Sequence, residues 1–359
     1  MNRSKDWPAS LLLEHSALQH EHAPRPLPLF LELVRSAAAR DAGLGRNALA
    51  GLLRYEQAPR KPSRQVRPAI HRVNGASLRD CGGSGPPLVL VPSLINPPNV
   101  LDLDPEVSLA DASAGMGRSV LLLDWGSASD RSTLSVAGHV TELLLPLLGQ
   151  LGQPPALAGY CLGGTMAIAA ANLTPVERIV TMASPWNFSL YPEEGRSALA
   201  SLWEHARAAA ISLGALPMEV LQSAFWSLDP ERTVAKFAKF AALPSDSPQG
   251  RRFVALEDWA NEGEPLPIPA ARELIEDFFA DDLPGTGKWT IGAQVITDAL
   301  DIPALHLTAG EDRIAPAVTA PIGSGTVINI DSGHVGMIVG SARKDLLSAL
   351  RPFIDPACR

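Results

Sequence analysis

Cys161, Asp312 and His334 are the side chains whose types and order could form and transfer an acyl group. Cys161 sits in AGYCLGGTM, residues 158–166, which has the glycine frame of a G-x-S-x-G nucleophile elbow with cysteine in place of serine. The apolar run ALAGY precedes it and LGGTMAIAAANL follows, giving the strand, sharp turn and helix that an elbow requires. Gly159 and Gly163 would let the turn be tight and the helix approach the strand. A sulfur at a helix N-terminus faces backbone N–H groups and the positive end of the helix dipole, both of which favour thiolate. The competing reading is a buried cysteine that only fills the core; the glycine frame and its context argue for the elbow.

A thiol nucleophile needs a base, and the base needs a group that orients it. In the α/β-hydrolase order both follow the nucleophile, each in a loop after a late strand. Asp312 lies in AGEDRIAP, directly after the apolar run IPALHLTAG, and His334 lies in DSGHVGMIVG, directly after GTVINIDS. The alternatives are a turn or capping carboxylate for Asp312, with Glu311 as a substitute acid, and a backbone-held loop histidine for His334. His306, inside a strand pattern, and His139, on a predicted helix, read as structural. An oxyanion hole would use the backbone N–H of Leu162 together with that of Leu94 or Ile95 in VPSLINPPN. Asp124 and Trp125, ending SVLLLDWG, read as a strand-terminating turn or as a direct participant.

The elements that must position these groups are short apolar runs alternating with helical stretches, the pattern of a mostly parallel sheet with crossover helices. The runs cover 87–93, 119–125, 156–160, 177–184, 302–310 and 325–332, with helices over about 134–151 and 162–172 between them. Ahead of the core, residues 25–57 carry apolar residues at helical spacing, interrupted near Gly43 and Gly45, which predicts two amphipathic helices followed by the proline-rich basic linker APRKPSRQVRP. A structureless loop between Ser184 and Ile302 would be too long for a compact domain. Helical patterns such as ERTVAKFAKFAAL and PAARELIEDFFADDL fill it, so it reads as an inserted helical cap. The expected organisation is an N-terminal helical segment and linker over 1–85, core over 86–185, cap over 186–300 and core again over 301–359. Trp203, Trp226, Trp259 and Trp289 fall in the cap and read mainly as packing residues.

At 359 residues, 46% of them hydrophobic and 19% charged, the chain can bury a sizeable core and is not largely disordered. A net charge of −8 without any basic run disfavours a general nucleic-acid partner. Cys81, Cys161 and Cys358 are an odd, widely spaced set, which indicates neither a disulfide framework nor a zinc site and favours a reducing compartment. The N-terminal 22 residues lack the continuous apolar region of a signal peptide, and no apolar stretch approaches the roughly 20 residues of a membrane span. A cytoplasmic protein is expected.

Taken together, GYCLGG, the loop PSLINPPNVLDLDPEVSL, the strand end LLLDWG, the acid loop GEDRIAP and the histidine loop GHVGMIVG resemble polyhydroxyalkanoate synthases, above all the catalytic subunit of the short, two-subunit kind. The likeness covers roughly residues 86–350, including the cap segment FVALEDWANEGEPLPIPAARELIEDFF. It implies an α/β-hydrolase fold, with Cys161 as acyl-accepting nucleophile, His334 as general base and Asp312 orienting His334 or helping to activate the incoming hydroxyl. It also implies (R)-3-hydroxyacyl-CoA substrates, a polyester product, a homodimer at granule surfaces and no metal or organic cofactor. The short region before the core implies a second synthase subunit as partner. One departure is Asn187 in SPWNF, where the family is expected to carry Asp.

The thiol has its own chemical reason. Attack by a cysteine on a thioester yields another thioester, so the acyl group stays activated, whereas a serine ester would lose much of the driving force before an alcohol could attack. A cap that excludes water would protect that intermediate. The same three residues also suit a Cys-dependent thioesterase or esterase. A third reading, a catalytically silent member of the fold that binds a granule or partner, leaves the three side chains unexplained.

Overall fold

A computed structural model of the chain describes residues 22–60, 64–244 and 246–358. Most of the N-terminal stretch read above for a signal peptide lies outside the described residues. The described residues pack as two compact units: residues 22–60 with 230–244 and 246–261, and residues 64–229 with 262–358.

In the first unit, helices Leu27–Arg40 and Ala42–Gln57 are separated at Asp41. Its backbone is extended, and its carboxylate accepts from the N–H groups of Gly43 and Leu44 at 2.8 and 3.1 Å, a strong N-cap. The break therefore falls two residues before the glycine where it was expected, and Gly43 and Gly45 lie inside the second helix. Gly51 has a packing reason: a β-carbon there would come within 1.9 Å of the Phe237 carbonyl oxygen, so only glycine lets this helix touch helix Pro230–Ala241. Phe30, Tyr55, Phe237 and Phe253 meet ring to ring, and the Tyr55 hydroxyl donates to Asp258 at 2.7 Å. The long stretch between Ser184 and Ile302 thus divides, with helices Pro230–Ala241 and Pro248–Asn261 joining the N-terminal pair.

The second unit is built on an eight-stranded sheet: β1 (Ala69–Val73), β2 (Ala76–Asp80), β3 (Pro87–Val91), β4 (Ser119–Asp124), β5 (Ala156–Tyr160), β6 (Arg178–Met182), β7 (Ala304–Ala309) and β8 (Thr326–Ile330). Their spatial order is β1-β2-β4-β3-β5-β6-β7-β8. β1 and β2 pair antiparallel, as do β2 and β4, and every other neighbouring pair is parallel. All residues of β3, β5 and β7 are buried, as expected of parallel strands covered on both faces. Six of the eight strands coincide with the apolar runs of the sequence. The β1–β2 hairpin was not among them, because β1 alternates as a half-exposed edge and β2 is short and partly polar; its signal is Asn74-Gly75 at the turn, both with positive φ.

The helix expected over 134–151 spans 136–148, with a π-helical turn at Val140–Leu144. After β6 come helices Glu193–Leu213 and Met218–Leu228, then Ile268–Arg272 running into a π-helical stretch Glu273–Ala280. Trp203 and Trp289 are buried here, and their indole N–H groups donate to Glu276 and Glu273 at 2.8 and 3.0 Å. That is packing with the polar edge satisfied. This is an α/β-hydrolase fold.

Candidate active site

The site forms where three parallel strands end. β5 leads into Cys161, which adopts φ 54° and ψ −132° before helix Leu162–Leu173 begins. A non-glycine residue seldom takes such a conformation, and here it turns the side chain out of the strand-to-helix corner. The turn is locked by backbone bonds, Cys161 N–H to the Met182 carbonyl and Gly164 N–H to the Cys161 carbonyl, both 2.9 Å. Three glycines make it possible. A β-carbon on Gly163 would lie 2.1 Å from the Val91 oxygen, one on Gly159 would lie 2.4 Å from the Gly164 α-carbon, and one on Gly164 would lie 1.9 Å from the Ser184 hydroxyl. The sequence pointed to the first two; Gly164 emerges only from its neighbour on the far side of β6. Cys161 itself is partly exposed, in contrast to buried Cys81, whose thiol burial pushes up to about 12.

Asp312 follows β7 and His334 follows β8. One carboxylate oxygen of Asp312 accepts from the N–H groups of Ile314 and Ala315 at 2.8 and 2.9 Å, and the other accepts from His334 Nδ1 at 2.6 Å. The Cys161 sulfur lies close enough to this imidazole to act on its charge. Burial opposes a charge on His334, yet the Asp312 carboxylate and the Cys161 sulfur outweigh it and raise the imidazole to about 10. Glu311, the alternative acid, is exposed. The three predicted residues therefore converge, with Asp312 rather than Glu311 on the histidine.

Two tyrosines belong to this environment and were not singled out in the sequence. The Tyr160 ring lies 5.0 Å from the His334 ring, and its hydroxyl donates to the His334 carbonyl at 3.4 Å. The Tyr191 hydroxyl donates to the Ile314 carbonyl at 2.9 Å, on the loop that carries Asp312. Burial, with the charges of Cys161 and Asp312, holds both phenols neutral. Asn187 is explained too: its amide donates to the Ala320 carbonyl at 2.8 Å, which an Asp carboxylate could not do.

Leu162 opens the helix after the nucleophile, and Leu94 and Ile95 lie in the loop after β3. The close approach of Gly163 to Val91 and Pro92 brings the start of that helix against the start of that loop. Asp124 is held by Arg79 at 2.6 Å, and the Trp125 indole donates to the Pro92 carbonyl at 3.1 Å, so the strand-end pair is structural. His306 bonds Thr181 and the Ser324 carbonyl, both at 2.8 Å, and burial lowers its pKa. His139 bonds the Ser135 carbonyl and Arg131. Neither histidine joins the cluster. Among the described residues no group of His, Cys, Asp and Glu is arranged to hold a metal ion, and no helix is long and apolar enough to cross a membrane.

The chain is similar in sequence to poly(3-hydroxyalkanoate) polymerase subunits. The chain is 26% identical over 277 residues to the poly(3-hydroxyalkanoate) polymerase subunit PhaC of Haloferax mediterranei, covering 71% of this chain and 55% of that one. It is 27% identical over 291 residues to the PhaC subunit of Allochromatium vinosum, covering 75% and 80%, and 27% identical over 293 residues to that of Synechocystis, covering 75% and 77%. The chain is a homologue of the PhaC polymerase subunits. It spans about half the length of the Haloferax PhaC and most of the other two. No family model matches it. Among solved structures, the epoxide hydrolase of Bacillus megaterium superposes with a TM-score of 0.51 over 79% of this chain and 98% of that one, at 13% identity, a likeness of fold.

Proposed function

We propose that this PhaC homologue is a polyhydroxyalkanoate synthase-like acyltransferase that works through Cys161, His334 and Asp312. The observation that carries the reading is the 2.6 Å bond from His334 Nδ1 to Asp312, on an imidazole whose charge the elbow cysteine also stabilises. With its pKa raised to about 10, the imidazole rests protonated near neutrality, facing the sulfur as its counter-charge.

In the first half-reaction the Cys161 sulfur attacks the carbonyl carbon of a 3-hydroxyacyl-CoA. The oxyanion is met by the Leu162 N–H and by a donor from the loop holding Leu94 and Ile95. Collapse breaks the carbon–sulfur bond to CoA, whose sulfur leaves with the proton from His334. The imidazole is now neutral. In the second half-reaction the hydroxyl of a growing chain attacks the acyl-cysteine, its proton passes to His334, and the Cys161 sulfur is expelled as the anion that restores the resting pair. Asp312 keeps Nδ1 protonated and the ring turned toward the sulfur throughout. The substrate, the polyester granule, a homodimer, a partner subunit and a cytoplasmic setting are part of this proposal, carried from the resemblance.

The partly exposed cysteine favours keeping a second reading, a thioesterase on the same residues, because water reaching the acyl-cysteine would end the cycle there. Incubation of the purified protein with 3-hydroxybutyryl-CoA, with thiol release followed and the acyl product analysed, decides between them. Polymer is expected; free 3-hydroxybutyrate as the sole product would replace the synthase reading with the thioesterase one.

A further inference from the structure

The loop after β3 is held from behind at three carbonyls. Trp125 Nε1 donates to the Pro92 oxygen at 3.1 Å, Arg131 Nη2 donates to the Leu94 oxygen at 3.3 Å, and the Glu264 N–H donates to the Ile95 oxygen at 3.1 Å. Arg131 is 2% exposed, far more buried than a guanidinium usually is. Its Nη1 bonds His139 Nε2 at 3.2 Å, while its Nε has no hydrogen-bond partner. His139 donates its Nδ1 proton to the Ser135 carbonyl at 2.6 Å, so its Nε2 is free to accept. Burial, helped by the nearby Arg131 charge, lowers this imidazole to about 4 and keeps it the neutral acceptor. Glu264 and Asp124 are the anions that offset the buried guanidinium, and the Glu264 carboxylate is itself fixed by the Ala128 N–H at 2.9 Å.

Burying a charge is costly, so a buried arginine whose fork spans two fixed acceptors calls for a function. The peptide group supplies one. In a trans peptide the C=O and the next residue's N–H lie in one plane and point in opposite directions. Fixing the Leu94 carbonyl from behind therefore fixes the Ile95 N–H on the opposite side. The geometry points to Arg131, braced by His139, as a positioning residue that locks the Leu94–Ile95 peptide directly, so that Ile95 rather than Leu94 supplies the second oxyanion donor. The inference rests on the acyl-transfer reading above, and it resolves the choice between those two residues.

The test separates the oxyanion hole from the nucleophile. Acylation of Cys161 is measured with 3-hydroxybutyryl-CoA and with p-nitrophenyl acetate. Alkylation of Cys161 by iodoacetamide, which forms no oxyanion, is measured by peptide mass with exposed Cys358 as internal reference. Arg131→Met and Arg131→Lys are compared with wild type; Lys keeps the charge but cannot span both acceptors, and it carries the test if Met fails to fold. Both variants are expected to lower kcat for acylation, by up to about 100-fold, with KM and the alkylation rate near wild type. Folded variants that acylate at the wild-type rate would overturn the inference, as would acylation and alkylation falling together. If wild-type protein ignores the CoA thioester but is acylated by the nitrophenyl ester, the substrate reading fails while the Arg131 comparison is still read on that ester. If neither donor acylates Cys161, both readings fall.

Discussion

His334 is held between two groups that act in the same direction: Asp312 fixes its Nδ1 side, the Cys161 sulfur lies near the same ring, and together they hold the proton against burial. Replacing Asp312 with Asn keeps the side-chain shape but removes the charge. The expected result is an imidazole that titrates well below about 10 in a histidine NMR titration of Asp312→Asn, and acyl transfer slower by about 10²–10⁴-fold. An unchanged titration would mean that Asp312 does not set the protonation of His334. These three residues were legible in the sequence because each follows an apolar run and their order matches one fold. Tyr160, Tyr191 and Arg131 were not, because what they do depends on carbonyls brought to them by other parts of the chain.

Among the elements, the strand–elbow–helix unit is the one with least tolerance. Gly163 lets helix Leu162–Leu173 lie against the end of β3, and a methyl group there would sit 2.1 Å from the Val91 oxygen and 2.5 Å from the Pro92 oxygen. Gly163→Ala is expected to cost about 1–3 kcal/mol in urea unfolding and to slow acyl transfer, since relief of the clash must shift the loop bearing Leu94 and Ile95. A variant as stable and as active as wild type would show that the helix can retreat freely. Element identity was readable wherever both faces of a strand are buried, as in β3 and β5, since a short unbroken apolar run ending at turn residues fits a strand covered on both sides. β1 escaped because a polar-alternating edge resembles a linker, and β2 because the short ASLRD has no unbroken apolar run although its first half is buried. The association of Pro230–Ala241 with the N-terminal helices was invisible for another reason: it rests on Gly51 and a cluster of aromatic rings almost 200 residues away in sequence.

For the whole molecule, two buried histidines impose opposite pH dependences. His334, raised to about 10, binds its proton more tightly folded than unfolded, so its contribution is complete below about 6.5 and is lost as pH rises through about 10. His139, lowered to about 4, contributes fully above about 6.5, and that contribution is lost as pH falls through about 4. The melting temperature is therefore expected to peak near pH 6.5 and to fall on both sides, with the alkaline limb flattened in His334→Gln and the acid limb, which buried His306 shares, partly flattened in His139→Gln. Limbs unaffected by these substitutions would assign the pH dependence to other groups. The most direct test of the account is the mass of the Cys161 peptide after acid quench of a reaction with 3-hydroxybutyryl-CoA. A hydroxybutyryl adduct on Cys161, removed by hydroxylamine and absent in Cys161→Ala, is expected. CoA release that continues undiminished in Cys161→Ala, or an adduct on another residue, would contradict it.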